Sequence, residues 1–148
     1  MQKLIDYRPP RIAMTFVLIA VAVNVLIPLP IHPALPAAAG ITGLLGFALM
    51  MRAWWLFRMT QTAICPTRNS TTLVTHDVFS VSRNPMYMGM LLMLVGVAMA
   101  VGSVTFYVAA IAYSVVIDRV FCPYEEQKAL REFGELYAAY AQRVRRWL

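Results

Sequence analysis

The sequence predicts an all-α integral membrane protein: four transmembrane helices, the last two forming a hairpin, followed by amphipathic helices at the cytoplasmic boundary. Three observations carry that prediction. Of the 148 residues, 60% are hydrophobic and only 14% charged, against roughly a quarter charged in soluble domains. Forty residues from Ile12 to Met51, and thirty-two from Met86 to Ile117, contain no Lys, Arg, Asp or Glu. A helix needs about 20 apolar residues to cross the hydrocarbon layer, so each run holds two crossings. Finally, all 13 Lys and Arg residues lie at the N-terminus, between the second and third helices, at inner helix ends or in the tail. By the positive-inside rule this puts both termini in the cytoplasm.

The elements follow in order, within a single domain spanning residues 1–148. The first helix covers about 12–29 and stops at "PLPIHPALP", where four prolines in nine residues cannot continue it. No cleavage site for a signal peptide is evident near it. The second covers about 37–57, and its Gly40, Gly43 and Gly46 offer a smooth strip for helix packing. A polar stretch without helical period follows, and a third helix starts at Pro85 and runs to about 101. "GS" at 102 and 103 is a tight turn into a fourth helix over about 103–121. Pro123 restarts a helix in the tail, 123–148, in the first-turn position that proline tolerates. Gly134 breaks it, and "ELYAAYAQRVRRWL" reads as a last amphipathic helix.

Charge also excludes function classes. All seven Asp and Glu residues share the inner side with the basic ones, so polar chemistry belongs at the cytoplasmic boundary. The pI of about 9.8 follows the membrane rule and does not point to nucleic acid. Cys65 and Cys122 are too few for a disulfide scaffold. His32 and His76 fall on opposite sides of the membrane, so no metal site is expected.

Three polar clusters meet at the boundary. In "SRNPMYMG", Asn84 and Pro85 suit a helix cap and first turn, and Arg83 suits a snorkelling position. The same helix start, with its free N–H groups and Arg83 beside it, also suits a carboxylate. Tyr87 would add an aromatic wall and Gly89 room for a ligand to approach the backbone. In "DRVFCPYEE", Glu125 and Glu126 favour a helix N-terminus. Arg119 and Glu126, seven apart, would share a face on a mildly kinked helix, as a surface pair or as part of a site. In the tail, Tyr137, Tyr140, Val144 and Trp147 recur at spacings of three and four beside Arg143, Arg145 and Arg146, the pattern of an interfacial anchor.

Together, "LVTHDVFSVSRNPMYMG", a hairpin and "EEQKALREFGELYAAYAQRVRRW" resemble the isoprenylcysteine carboxyl methyltransferase and phospholipid methyltransferase superfamily, over about residues 73 to 147. The family pattern is an Arg-His-Pro-x-Tyr-x-Gly motif, a Glu-Glu pair and a Phe-Gly-x-x-Tyr-x-x-Tyr tail. Here Arg83, Pro85, Tyr87 and Gly89 match the first, Glu125 and Glu126 the second, and Phe133, Gly134, Tyr137 and Tyr140 the third. Arg119 matches an arginine six residues before the acidic pair. Asn84 replaces the usual histidine, and in the Thr-x-Gly-x-Tyr segment that the family carries ahead of these motifs Asp77 replaces the glycine and Phe79 the tyrosine. Asparagine hydrogen-bonds but does not titrate near neutral pH, so the histidine's role does not carry over.

The resemblance implies a membrane methyltransferase that uses S-adenosylmethionine and acts on a lipid or small hydrophobic acceptor at the cytoplasmic face. It places Arg83, Asn84, Pro85, Tyr87, Gly89, Glu125, Glu126, Tyr137 and Tyr140 around the cofactor. Arg119 would orient an anionic acceptor, and Glu126 would accept a proton. An NADPH-dependent membrane reductase of related fold and a non-enzymatic four-helix membrane protein are the alternatives. Helices 1 and 2 carry no readable acceptor specificity, and the glycine strip is compatible with a partner helix in the same chain or in a second copy.

Overall fold

The computed structural model describes residues 9–31, 33–60 and 72–148. The expectations for His32 and Cys65 lie outside the described residues. The elements are α1 (Pro9–Leu26), α2 (Pro36–Met59), a 3-10 turn (Asp77–Ser80), α3 (Pro85–Val101), α4 (Val104–Val116), a π-helical segment (Ile117–Phe121), α5 (Cys122–Phe133) and α6 (Glu135–Arg143). Prolines occupy first-turn positions in α2, α3 and α5, where a missing N–H costs nothing. Among the described residues, three helical stretches are long and apolar enough to cross a membrane: Pro9–Leu26, Pro36–Met59 and Val104–Phe133. Pro85–Val101, with 17 residues, is shorter and equally apolar. The protein is therefore a multi-pass membrane protein. Leu18, Val25, Leu44, Val108 and Ile111 stand exposed on its flanks, where lipid replaces water as solvent.

The sequence places α3 at the centre of the bundle. Gly89 faces Gly46, and Gly96 faces Ala39 and Gly43, so α2 and α3 run antiparallel with backbones nearly touching. A Cβ on Gly89 would stand 2.6 Å from the Gly46 carbonyl oxygen. Gly40 has open space beyond it, so only part of the glycine strip serves this contact. The turn from α3 to α4 needs Gly102, whose φ of 71° lies in the left-handed region. Ala20 of α1 clusters with Ala98 of α3 and with Phe106 and Ala109 of α4, while Ile12 clusters with Tyr113 and Ile117, so α1 runs antiparallel to α4. The end of the bundle at that turn is closed by backbone bonds, Ile31 N–H to Gly102 O (2.9 Å) and Val104 N–H to Leu29 O (3.0 Å).

Beyond α4 the helix does not continue smoothly. The ring of Pro123 collides with the carbonyl four residues back and brings no N–H. The chain answers by widening over Ile117–Phe121, where the Cys122 N–H reaches the Ile117 carbonyl five residues earlier. Phe121 and Cys122 are fully buried there. At Gly134 the backbone takes φ 52° and ψ −126°, which breaks the helix as the sequence suggests. The last helix is shorter than anticipated: α6 ends at Arg143, and Val144 is extended (φ −116°, ψ 129°). Residues 144–148 form a strap and not a helical anchor. Asp77 adopts φ 59°, in the left-handed region. Its carboxylate accepts from the Val78 N–H and from Arg52, and the Arg52 bond holds its pKa below the usual carboxylate value.

Candidate functional site

The polar groups gather at the end of the bundle opposite the Gly102 turn, where α3 begins, the π-helical segment ends and the strap crosses. Arg83 enters through the short 3-10 turn that precedes α3. Its Nη2 lies 3.3 Å from Glu126 Oε1, with both side chains largely buried, and its Nη1 is 3.4 Å from the Tyr137 hydroxyl. Arg83 Nε is buried with no hydrogen-bond partner among the described residues. Glu126 is also held bidentately by Arg146, Nε to Oε1 at 2.9 Å and Nη2 to Oε2 at 2.7 Å. Arg146 Nη1 and Trp147 Nε1 both donate to Asp118 Oδ1, at 3.1 and 2.9 Å. Hydrogen bonding to Glu126 keeps the Arg146 guanidinium protonated well beyond its already high ordinary pKa. Beside this chain of charges, the Tyr87 hydroxyl donates to Glu125 Oε1 at 2.5 Å.

The tyrosines of the tail face inward. Tyr137 and Tyr140 are buried, with ring centroids 6.1 Å apart at an edge-on angle, so they line the cluster instead of anchoring in the interface. Tyr140 donates to the Phe79 carbonyl at 2.7 Å. Burial pushes its pKa from 10.0 to about 12 and raises that of Tyr137. The stability this raised value carries is present below the phenol's ordinary pKa and lost as pH climbs through about 12, so the bond persists throughout the neutral range. Tyr140→Phe leaves a buried carbonyl unpaired, and a loss of about 1–3 kcal/mol in folding stability is expected, measurable by thermal unfolding in detergent.

Of the residues singled out from the sequence, Arg83, Asn84, Tyr87, Glu125, Glu126, Tyr137 and Tyr140 come together here. Three readings change. Asn84 makes no side-chain cap. Its amide donates instead to the Arg146 carbonyl at 3.3 Å, because the strap offers an acceptor where the first turn of α3 starts with a proline. Pro85 is fully buried as the helix start. Gly89 is taken up by the contact with Gly46, so its open side admits α2 and leaves no approach for a ligand. Arg119 and Glu126 do not share a face. Seven residues of regular α-helix return to within about 20° of the same direction, but the π-helical segment fits more residues into each turn, so the chain turns less between them and the two headings part. Arg119 is accordingly 82% exposed and pairs with the neighbouring Asp118 at 3.6 Å. Sequence reasoning gave Arg146 and Trp147 to an interfacial anchor and missed their hold on Asp118 and Glu126. An Arg-Trp pair just past the end of a helical period was the available signal.

Comparison with known proteins identifies a family. The family model described as phospholipid methyltransferase matches residues 36–136. Protein-S-isoprenylcysteine O-methyltransferase B of Arabidopsis thaliana is 40% identical over 75 residues, which cover 49% of this chain and 36% of that protein. The matched stretch thus spans little more than a third of that relative's length. No solved structure matches.

Proposed function

The chain belongs to the phospholipid methyltransferase family, and on that premise we propose that it transfers a methyl group from S-adenosylmethionine to a lipid or small hydrophobic acceptor at the cytoplasmic membrane boundary. In this reading Pro85–Val101 is the fourth crossing, since it lies antiparallel against α2 along its length, and both termini face the cytoplasm as the charge distribution requires.

One observation carries the proposal: a partly buried chain of opposite charges, Arg83–Glu126–Arg146–Asp118, sits where apolar helices meet water. A zwitterionic amino-acid group needs both a guanidinium and a carboxylate at close range. The unpartnered Nε of Arg83 fits an anionic group in particular. Arg83, Glu125 and Glu126 would hold the donor's charged end, with Asn84 and Pro85 fixing the helix start that carries Arg83. Tyr87, Tyr137 and Tyr140 would supply its aromatic walls. When bound, the donor supplies an electrophilic methyl group on a cationic sulfur.

The chain's own residues align and shield the reactants, which is most of what such a transfer requires. Tyr137 and Tyr140 close the site from water, and Tyr87 is held in place by Glu125. Glu126 would accept the proton released when the acceptor is an amine or thiol. Arg119, exposed at the inner boundary, would meet an anionic headgroup on the acceptor.

The test is incubation of the detergent-purified protein with methyl-labelled donor and a total lipid extract, followed by identification of the labelled product. Label in a lipid or lipid-like product is expected. Binding of NADPH without binding of S-adenosylhomocysteine would overturn the reading in favour of a reductase.

A further inference from the structure

The strap that follows α6 bonds to Ser82, Arg83, Asn84, Asp118 and Glu126, and it lies beyond residue 136, where the family match ends. We infer that Arg146 is a positioning residue: its guanidinium fixes the direction of the Glu126 carboxylate, and the strap carrying it locks the start of α3 to the π-helical segment and to α5. This rests on the function proposed above.

The geometry has two halves. On the side-chain side, the bidentate fork of Arg146 occupies both oxygens of Glu126, at 2.9 and 2.7 Å, a planar match that lysine cannot reproduce. Its third nitrogen is tied to Asp118, which Trp147 also holds. Arg83 approaches Glu126 less closely, at 3.3 Å, so without Arg146 the carboxylate would have one looser tether. On the backbone side, the Arg145 carbonyl accepts from the Arg83 N–H at 3.0 Å. The Arg146 carbonyl accepts from the fully buried Ser82 hydroxyl at 3.0 Å and from the Asn84 amide at 3.3 Å. Trp147 packs against the buried core that includes Phe121 and Cys122. Three consecutive strap residues thus join the two segments that present Arg83 and Glu126, and the separation of those two groups is set by the strap.

The test compares Arg146→Ala, Arg146→Lys and Glu126→Gln, alone and combined, in the full chain. Methyl transfer from labelled donor to the lipid extract gives kcat and the donor KM. Amide exchange across residues 82–88 reports strap docking without any donor. Arg146→Ala is expected to lower kcat by roughly 100-fold, the scale of a misplaced reacting group, with Arg146→Lys nearer to alanine than to wild type. Added to Glu126→Gln, it should cost little more, because residues acting through one another are non-additive. Exchange at the Arg83 amide should quicken while the melting temperature stays close to wild type. Wild-type kcat in Arg146→Ala, or fully additive losses, would overturn the inference, as would unchanged exchange. A wild-type protein that binds no S-adenosylhomocysteine overturns the functional proposal instead, and the exchange result then decides whether Arg146 holds the strap.

Discussion

Arg83→Ala should remove binding of S-adenosylhomocysteine by the detergent-purified protein while leaving the helical bundle folded. Arg83 is largely buried, pairs with Glu126 and Tyr137, and keeps one N–H unsatisfied. Removing the protein's half of a desolvated charge pair between Arg83 and the carboxylate of the bound nucleotide costs about 2–5 kcal/mol of binding. At about 1.4 kcal/mol per tenfold, that corresponds to roughly 30-fold to several-thousand-fold in Kd. The fold should survive, because Glu126 still has Arg146 and is not left as a bare buried charge. Calorimetric titration alongside a melting curve checks both halves. A variant that binds the nucleotide as wild type does would remove Arg83 from the site.

The second large effect is expected at Gly89→Ala, from packing alone. The added methyl group would sit 2.6 Å from the Gly46 carbonyl oxygen and 2.8 Å from the Met50 nitrogen. Both are backbone atoms of a long helix and cannot swing aside. The helices must part, and overpacking of this kind costs about 1–3 kcal/mol. By the usual scaling for a chain this size, the melting temperature falls by about 3–10 °C. Turnover should fall with it, since Tyr87 and Arg83 lie just before Gly89 along the same chain. Gly40→Ala is the control, because nothing lies within 4 Å of a Cβ there. Equal melting temperatures for the two variants would show that the Gly46–Gly89 contact does not hold α2 to α3.

Why one glycine of a strip matters and another does not is invisible in the sequence: both stand in the same apolar run, and only the crossing point of two helices separates them. Other parts were legible. Uncharged runs, first-turn prolines and the Gly102 turn gave the helices to within a few residues, since hydrocarbon forces backbone groups to pair internally. Arg83, Tyr87, Glu125 and Glu126 were legible as a group because the basic and acidic residues crowd one boundary. The strap was not, because an extended stretch of five residues leaves no period to read. The spacing of Tyr137 and Tyr140 did not by itself show their burial, for a related reason. Their spacing of three fits an interfacial stripe as well as a buried one, and only the turn at Gly134 decides between them.

The widened stretch at Ile117–Phe121 has a consequence for how this chain tolerates insertions and deletions. Each residue of regular helix advances the heading by about 100°, so removing one residue from the regular turn between that stretch and Glu125 would swing both glutamates away from the third helix while leaving every other side chain unchanged. Between the last lipid-embedded turn and the acidic pair, chain length is constrained more tightly than residue identity.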